Sequence, residues 1–235
     1  MRSRSPTSSR LVLPVSACLA APLCAQADDF GLVIQASTDT IYHGTTETFG
    51  EPSIGINAQW QPDENLFVGI EAHTSQVDGV RQRHSSYGAY LGTAWELDDN
   101  WLVNVAVQHR EFPGAPKEWA STELKAEITN KKGFALRLDY SPDYYSHDTE
   151  AFVAEIGQQR FVTDQAFYSW KAGAVHLSND RFFDYQFAEV GAGFAHRRYT
   201  VSLAYGWNSE DGRDLFGTEP VRSPRLFAQL AYRLY

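Results

Sequence analysis

The chain has 235 residues, 29 acidic and 20 basic side chains, and a formal net charge of −9. That balance argues against nucleic acid as a partner, and no stretch reaches the roughly 18 apolar residues of a membrane-crossing helix. Aromatic residues make up 14% of the chain, which suits the interfacial girdles of a membrane β-barrel.

The first 27 residues are a predicted secretory signal. Arg2, Arg4 and Arg10 give a positive start, Leu11 to Ala21 an apolar stretch, and Ala25-Gln26-Ala27 a small-residue cleavage site, so the mature chain is expected to begin at Asp28. The apolar stretch is too short for an anchor and is broken by Pro14 and Pro22. Cys24 follows Pro22-Leu23, which disfavours lipidation. Both cysteines, Cys18 and Cys24, fall in the removed segment, so neither disulfide nor thiol chemistry is expected. Removal takes three of the 20 basic residues and none of the 29 acidic ones; 17 against 29 leaves −12 on residues 28–235, a one-domain length.

From Phe30 onward apolar and polar or small residues alternate in about twelve runs. A strand with this period of two has one apolar and one polar face. The predicted apolar faces begin with Phe30, Leu32, Ile34, Ala36, then Ile54, Ile56, Ala58, Trp60, then Leu66, Val68, Ile70, Ala72. Tyr87 to Trp95, Trp101 to Val107, Thr122 to Ile128, Phe134 to Tyr140 and Phe152 to Ile156 repeat the pattern at every second residue. Tyr168 to Ala174, Ala188 to Phe194, Tyr199 to Trp207 and Leu226 to Leu234 complete it. The expected fold class is all-β: an antiparallel transmembrane barrel of about twelve strands, outer-membrane type, with its apolar face on lipid.

Connections alternate in length. Pro62–Asn65, Asp98–Asn100, Asn130–Gly133 and His196–Arg198 are tight turns, whereas Thr38–Pro52, Gln76–His84, Pro142–Glu150, Ser178–Asp184 and Asn208–Ser223 are longer polar loops. In outer-membrane barrels short turns are periplasmic and long loops lie outside, and an even strand number puts both termini on the periplasmic side.

The opposite faces predict a lumen. Glu71, Glu96, Glu123, Glu127, Asp139, Glu155 and Glu189 face Arg110, Lys125, Arg137, Lys171, Arg225 and Arg233, seven acids against six bases. Such a wall suits either a narrow polar channel or a lumen packed by ion pairs, since twelve strands lie between filled eight-stranded barrels and open sixteen-stranded porins.

Ser37-Thr38-Asp39-Thr40-Ile41-Tyr42-His43-Gly44-Thr45-Thr46-Glu47-Thr48, followed by Gly50-Glu51-Pro52-Ser53 and a strand to Trp60, resembles the opening motif of the TorF-type porins, a proteobacterial outer-membrane family. Glu111–Ala115 and Tyr140–Tyr145 are similar to later segments of that family, and the resemblance runs along essentially the whole mature chain. His43 stands where the family usually has Arg. The resemblance implies a barrel and a pore function with no known substrate; passive diffusion of small solutes through the charge-lined lumen, with no cofactor, is the expected mechanism. The expected partners are outer-membrane lipids, small solutes and the barrel-assembly machinery acting on the C-terminal strand. Tyr235 supplies the aromatic end of that signal, but Arg233 falls where an apolar residue is expected.

His176-Leu177-Ser178-Asn179 resembles the His-x-Ser-Asn element of lipid A deacylases, smaller outer-membrane barrels. A His and a Ser two apart on a strand point the same way, and a Ser hydroxyl needs such a base. The resemblance implies an acid on the next strand; Glu189 has near the right spacing, but the alternation turns it inward, away from His176. The sequence therefore reads as a non-enzymatic barrel, with an acyl hydrolase using His176, Ser178 and Glu189 as one alternative and a closed structural barrel with binding loops as another. The other histidines lack ligand spacing on one face, so no metal site is expected. Tyr144, Tyr145, His147 and Asp148 read as a polar loop, and Asp180 to Asp184 as a loop folding over the mouth.

Overall fold

The computed structural model describes residues 29–48, 50–75, 84–114, 119–179, 184–209 and 225–234. Residues 1–28, Tyr235 and the centres of several long loops lie outside them, and with them the predicted signal segment with its boundary and the loop reading of Asp180 to Phe183.

Among the described residues fourteen strands follow in chain order. They are β1 (Asp29–Ser37), β2 (Ile41–Tyr42), β3 (Thr45–Thr46), β4 (Ser53–Gln61), β5 (Leu66–Ser75), β6 (His84–Glu96) and β7 (Trp101–Glu111). Then come β8 (Ala120–Asn130), β9 (Phe134–Ser141), β10 (Ala151–Phe161), β11 (Ala166–Leu177), β12 (Tyr185–His196), β13 (Tyr199–Asn208) and β14 (Arg225–Arg233). Twelve of them, β1 and β4 to β14, form a closed antiparallel barrel; β1 pairs with β4 on one side and β14 on the other. Closure leaves no strand edge unpaired, the condition for crossing lipid with strands.

The register follows the alternation. Cross-strand partners such as Ile34↔Ile56, Leu124↔Tyr140 and Val190↔Tyr205 share the outer face. Ile70, Val190 and Leu226 are among the exposed apolar side chains of that face. Partners such as Glu127↔Arg137 and Lys171↔Glu189 share the inner face. Tyr90 and Phe67 are buried there beside small partners, and a Cβ on Gly69 would lie 2.2 Å from the Tyr90 ring.

The tight turns close one rim with a repeated device. Asp63 Oδ1 accepts the N–H groups of Asn65 (2.8 Å) and Leu66 (2.7 Å), and Asp98 Oδ1 those of Asn100 (2.7 Å) and Trp101 (2.9 Å). These side chains satisfy turn donors that the ladder leaves open. At the loop rim the chain behaves differently: the first loop, expected to be external, turns inward, and its strands β2 and β3 form a separate two-stranded hairpin.

Candidate functional site

The hairpin is built from its own short polar side chains. Its two-residue turn, His43-Gly44, has φ of 46° and 76°, the positive values a tight primed hairpin turn needs. Gly44 also lies against the wall, because a Cβ there would sit 2.3 Å from Phe187 Cβ. The Asp39 carboxylate accepts the Thr46 and Thr48 hydroxyls, the second at 2.8 Å, and pairs with Arg225 at 2.8 Å. The Glu47 N–H donates to the Thr40 carbonyl at 2.7 Å. The segment thus carries its own polar hydrogen bonds and is tied to β14 through Arg225.

Three of its side chains are received by charged wall residues. Glu47 accepts from Arg110 Nη1 at 2.9 Å and Tyr145 Oη at 2.8 Å, and pairs with His73 Nε2 at 2.9 Å. Burial alone would raise the Glu47 carboxyl, but Arg110, His73 and Tyr145 more than offset it and hold it down at about 2. Tyr42 donates to Glu123 and accepts from Lys125 Nζ at 2.6 Å, while the Arg110 guanidinium lies 3.9 Å from the Tyr42 ring centre. His43 Nε2 lies 3.0 Å from Asp139 Oδ2, and Nδ1 lies 3.3 Å from Tyr144 Oη. Arg110, Glu123 and Lys125 are 1–2% exposed. Charges this buried persist only when paired, so the hairpin and the wall complete each other.

The Tyr144–Ser146 segment is a 3-10 turn, not the polar loop expected. It lays Tyr144 and Tyr145 into the mouth, where both are buried with Phe112, Trp119, Tyr185 and Phe187. Tyr145, Ser146 and Asp148 hold φ of 53°, 57° and 52°, a conformation that ordinary side chains adopt at a cost and that burial of two aromatic rings offsets.

Away from the hairpin the wall charges pair with each other. Glu127–Arg137 (2.7 Å), Arg137–Glu155 (3.6 Å), Glu155–Lys171 (3.8 Å) and Lys171–Glu189 (3.3 Å) run as one alternating ladder across β8 to β12. It begins near the turn rim at Glu127 and climbs to Glu189, beside the hairpin. A cavity of about 40 Å³, large enough for water, lies against it. Across the lumen stand uncharged groups: Tyr90 donates to Asn57 Oδ1 (3.0 Å) and Gln59 Oε1 (3.3 Å), and Gln229 donates to Gln35 (3.2 Å).

The remaining sequence-predicted positions fall in three places. Glu71 accepts from Gln108 Nε2 at 2.6 Å in the buried wall. Arg225 joins the hairpin through Asp39. Glu96 is exposed at the turn-rim end of β6, and Arg233, opposite Val33, is partly exposed at the same rim. His43, Glu123 and Asp139 bring ligand-type atoms within 4.8 Å of one another. Lys125 Nζ stands 2.8 Å from Glu123 and already supplies the cation there, so the donor set fits an ion-pair network rather than a metal.

The His176 cluster lies on the outer face. His176 Nδ1 pairs with Asp184 Oδ2 at 2.8 Å, and the Leu177 N–H donates to Asp184 Oδ1 at 2.9 Å. These two hydrogen bonds hold the Asp184 carboxyl below its usual range. Glu189 faces the lumen and pairs with Lys171, so Asp184 is the acid beside His176. Ser178 Oγ accepts the Glu150 N–H at 2.9 Å. Sequence reasoning missed Asp184 because it precedes β12 and follows no strand alternation; it missed Tyr42, Glu47, Tyr144 and Tyr145 because their loops fold inward.

No protein-family model and no curated protein matches the chain. Among solved structures it is similar in fold to the NanC porin, at 11% identity and TM-score 0.58, covering 86% of this chain and 98% of that one. The KdgM porin matches at 8% identity and TM-score 0.54 over 86% and 98%. The COG4313 outer membrane channel from Pseudomonas putida F1 matches at 11% identity and TM-score 0.53 over 89% and 95%. The shared fold is that of outer-membrane channel barrels.

Proposed function

We propose that the protein is an outer-membrane channel for passive diffusion of small polar solutes, and that its first-loop hairpin obstructs the path near the loop rim. The observation that carries this reading is the pairing of a charge-lined lumen with a folded insert. The wall is built like a conduit, with an ion-pair ladder facing amides and a tyrosine, and the hairpin occupies it by polar contacts rather than by an apolar core. Such contacts exchange with water more readily than buried hydrocarbon does. The sequence resemblance to the TorF-type porins and the fold likeness to channel barrels support the reading. The lumen acids, counted with Asp39 and Glu47 of the hairpin, exceed the bases, which favours cations over anions.

The test is liposome swelling with neutral sugars and small charged solutes, using the wild type and a barrel in which residues 40–47 are replaced by a short Gly-Ser link. The reading expects solute entry in the trimmed barrel. A trimmed barrel that stays folded, migrates faster unboiled than boiled, and admits nothing overturns it.

A second reading, an acyl hydrolase, is favoured by the His176–Asp184 pair alone; the Ser178 hydroxyl is engaged by Glu150 rather than by His176. Lipid mass spectrometry on cells carrying the wild type or Ser178→Ala decides it, and identical acyl patterns remove it.

A further inference from the structure

The outer wall of β8 to β12 is not uniformly ridged. Register places Ala126, Leu138, Ala154, Ala174 and Gln186 in one row across five strands. The row on its loop side is Leu124, Tyr140, Phe152 and His176; the row on its turn side includes Ile128, Leu136 and Ile156. Ala154 and Ala174, side by side on β10 and β11, leave a trough below Phe152 and His176, edged by Leu138 on one side and Gln186 on the other, and a groove of about 690 Å³ lies there, bordered by His176, Asp184 and Gln186. That volume is in the ordinary range of small-ligand sites, roughly 300–1,000 Å³.

The two ends of the groove differ chemically. Its floor is aliphatic. Its loop-side rail is aromatic, with Tyr140 and Phe152 ring centres 4.7 Å apart and His176 stacked on Phe152 at 6.5 Å. Two exposed carboxylates stand above that rail: Asp184, held by His176, and Glu150, the residue before β10, whose N–H donates to Ser178 Oγ. An occupant must therefore be an amphiphile, with hydrocarbon in the trough and a head that tolerates two carboxylates. A phosphorylated saccharide head would be repelled; an ammonium head would be attracted.

We infer that this groove is a binding site for a single zwitterionic, ammonium-headed phospholipid, one acyl chain lying over Ala154 and Ala174 beside Leu138 and the ammonium between Asp184 and Glu150. The inference concerns the outer face and is independent of whether the lumen conducts. His176 orients Asp184 and presents its free Nε2 to the ester region of the same lipid.

The experiment is native mass spectrometry of the full barrel, exchanged in detergent with phosphatidylethanolamine, phosphatidylglycerol or lipopolysaccharide. The inference expects one retained phosphatidylethanolamine per barrel, preferred roughly tenfold over phosphatidylglycerol. Ala154→Trp, which fills the trough with an apolar ring, is expected to abolish retention, and Ala174→Phe serves if that variant does not fold. Ala192→Trp, elsewhere on the outer face, is expected to leave retention unchanged. Asp184→Asn is expected to reduce the head preference while retention persists. Equal retention of both phospholipids, preferential retention of lipopolysaccharide, no retained lipid, or retention that survives filling of the trough overturns the inference.

Discussion

The two ends of the lumen use the same kinds of side chain for different purposes. Near the loop rim, Arg110, Glu123, Lys125 and Asp139 are completed by a separate segment of chain, and each is buried. Toward the turn rim, Glu127, Arg137, Glu155 and Lys171 complete one another along the wall. A ladder that closes on itself needs no insert and stays in place whatever the insert does. In the cluster, Glu123 and Lys125 pair within the wall, but Arg110, His73 and Asp139 take partners from the hairpin segment, and those contacts hold only while it is seated. Wall charge closes on itself toward the turn rim; where the pairing crosses from wall to loop a second segment enters the lumen, and the proposed obstruction is there.

That distinction can be broken most sharply at Arg110. Arg110→Ala leaves Glu47 buried without its guanidinium, and breaking one partner of a buried pair costs about 3–5 kcal/mol. The hairpin is expected to unseat, residues 38–48 to become cleavable by an added protease, and the barrel to keep its heat-modifiable migration. Retained protection would contradict the pairing. A smaller effect of the same sign is expected from His43→Ala, which removes the contacts to Asp139 and Tyr144; losing a buried hydrogen bond costs about 1–3 kcal/mol.

Acid probes the same contact without a mutation. Glu47 has its folded value lowered from 4.5 to about 2 by Arg110, His73 and Tyr145 despite burial. Its contribution is therefore fully present above about 4.5 and is lost as pH falls toward 2. Protection of the hairpin from hydrogen exchange, followed downward in pH, is expected to weaken in that window; a loss complete before pH 5 would point to other groups. The smallest effect belongs to the ladder. Lys171→Met removes the cation between Glu155 and Glu189, so the reversal potential of the trimmed barrel in a salt gradient is expected to move toward cation selectivity, with hairpin protection unchanged. A shift toward anions would refute the assignment of Lys171 to the path.

The wall was legible in the sequence because a β-strand obeys a period of two, and closure against lipid makes that period strict. Val190, Glu189 and Val201 alternate as the strands do, and the inward direction of Glu71, Glu123, Asp139, Glu155 and Lys171 follows from it. The mouth was not legible. The Ser37–Thr48 segment resembles a family motif, but nothing in its spacing says that it turns inward. Its inward course depends on contacts made across 63 residues to Arg110 and 98 to Tyr145, and no local period encodes such distances. Tyr144-Tyr145 reads as a polar loop because two tyrosines among Ser, His and Asp carry no alternation; their burial comes from Phe112 and Trp119 on other loops. Asp184 was missed for the same reason.

The account turns on the hairpin being the obstruction. Single-channel conductance in planar bilayers, comparing the wild type with the barrel whose residues 40–47 are replaced by a short link, tests this directly. The account predicts small or rare openings in the wild type and long-lived, several-fold larger steps in the trimmed barrel. Equal conductance in the two, with both barrels folded, would place the obstruction elsewhere and contradict it.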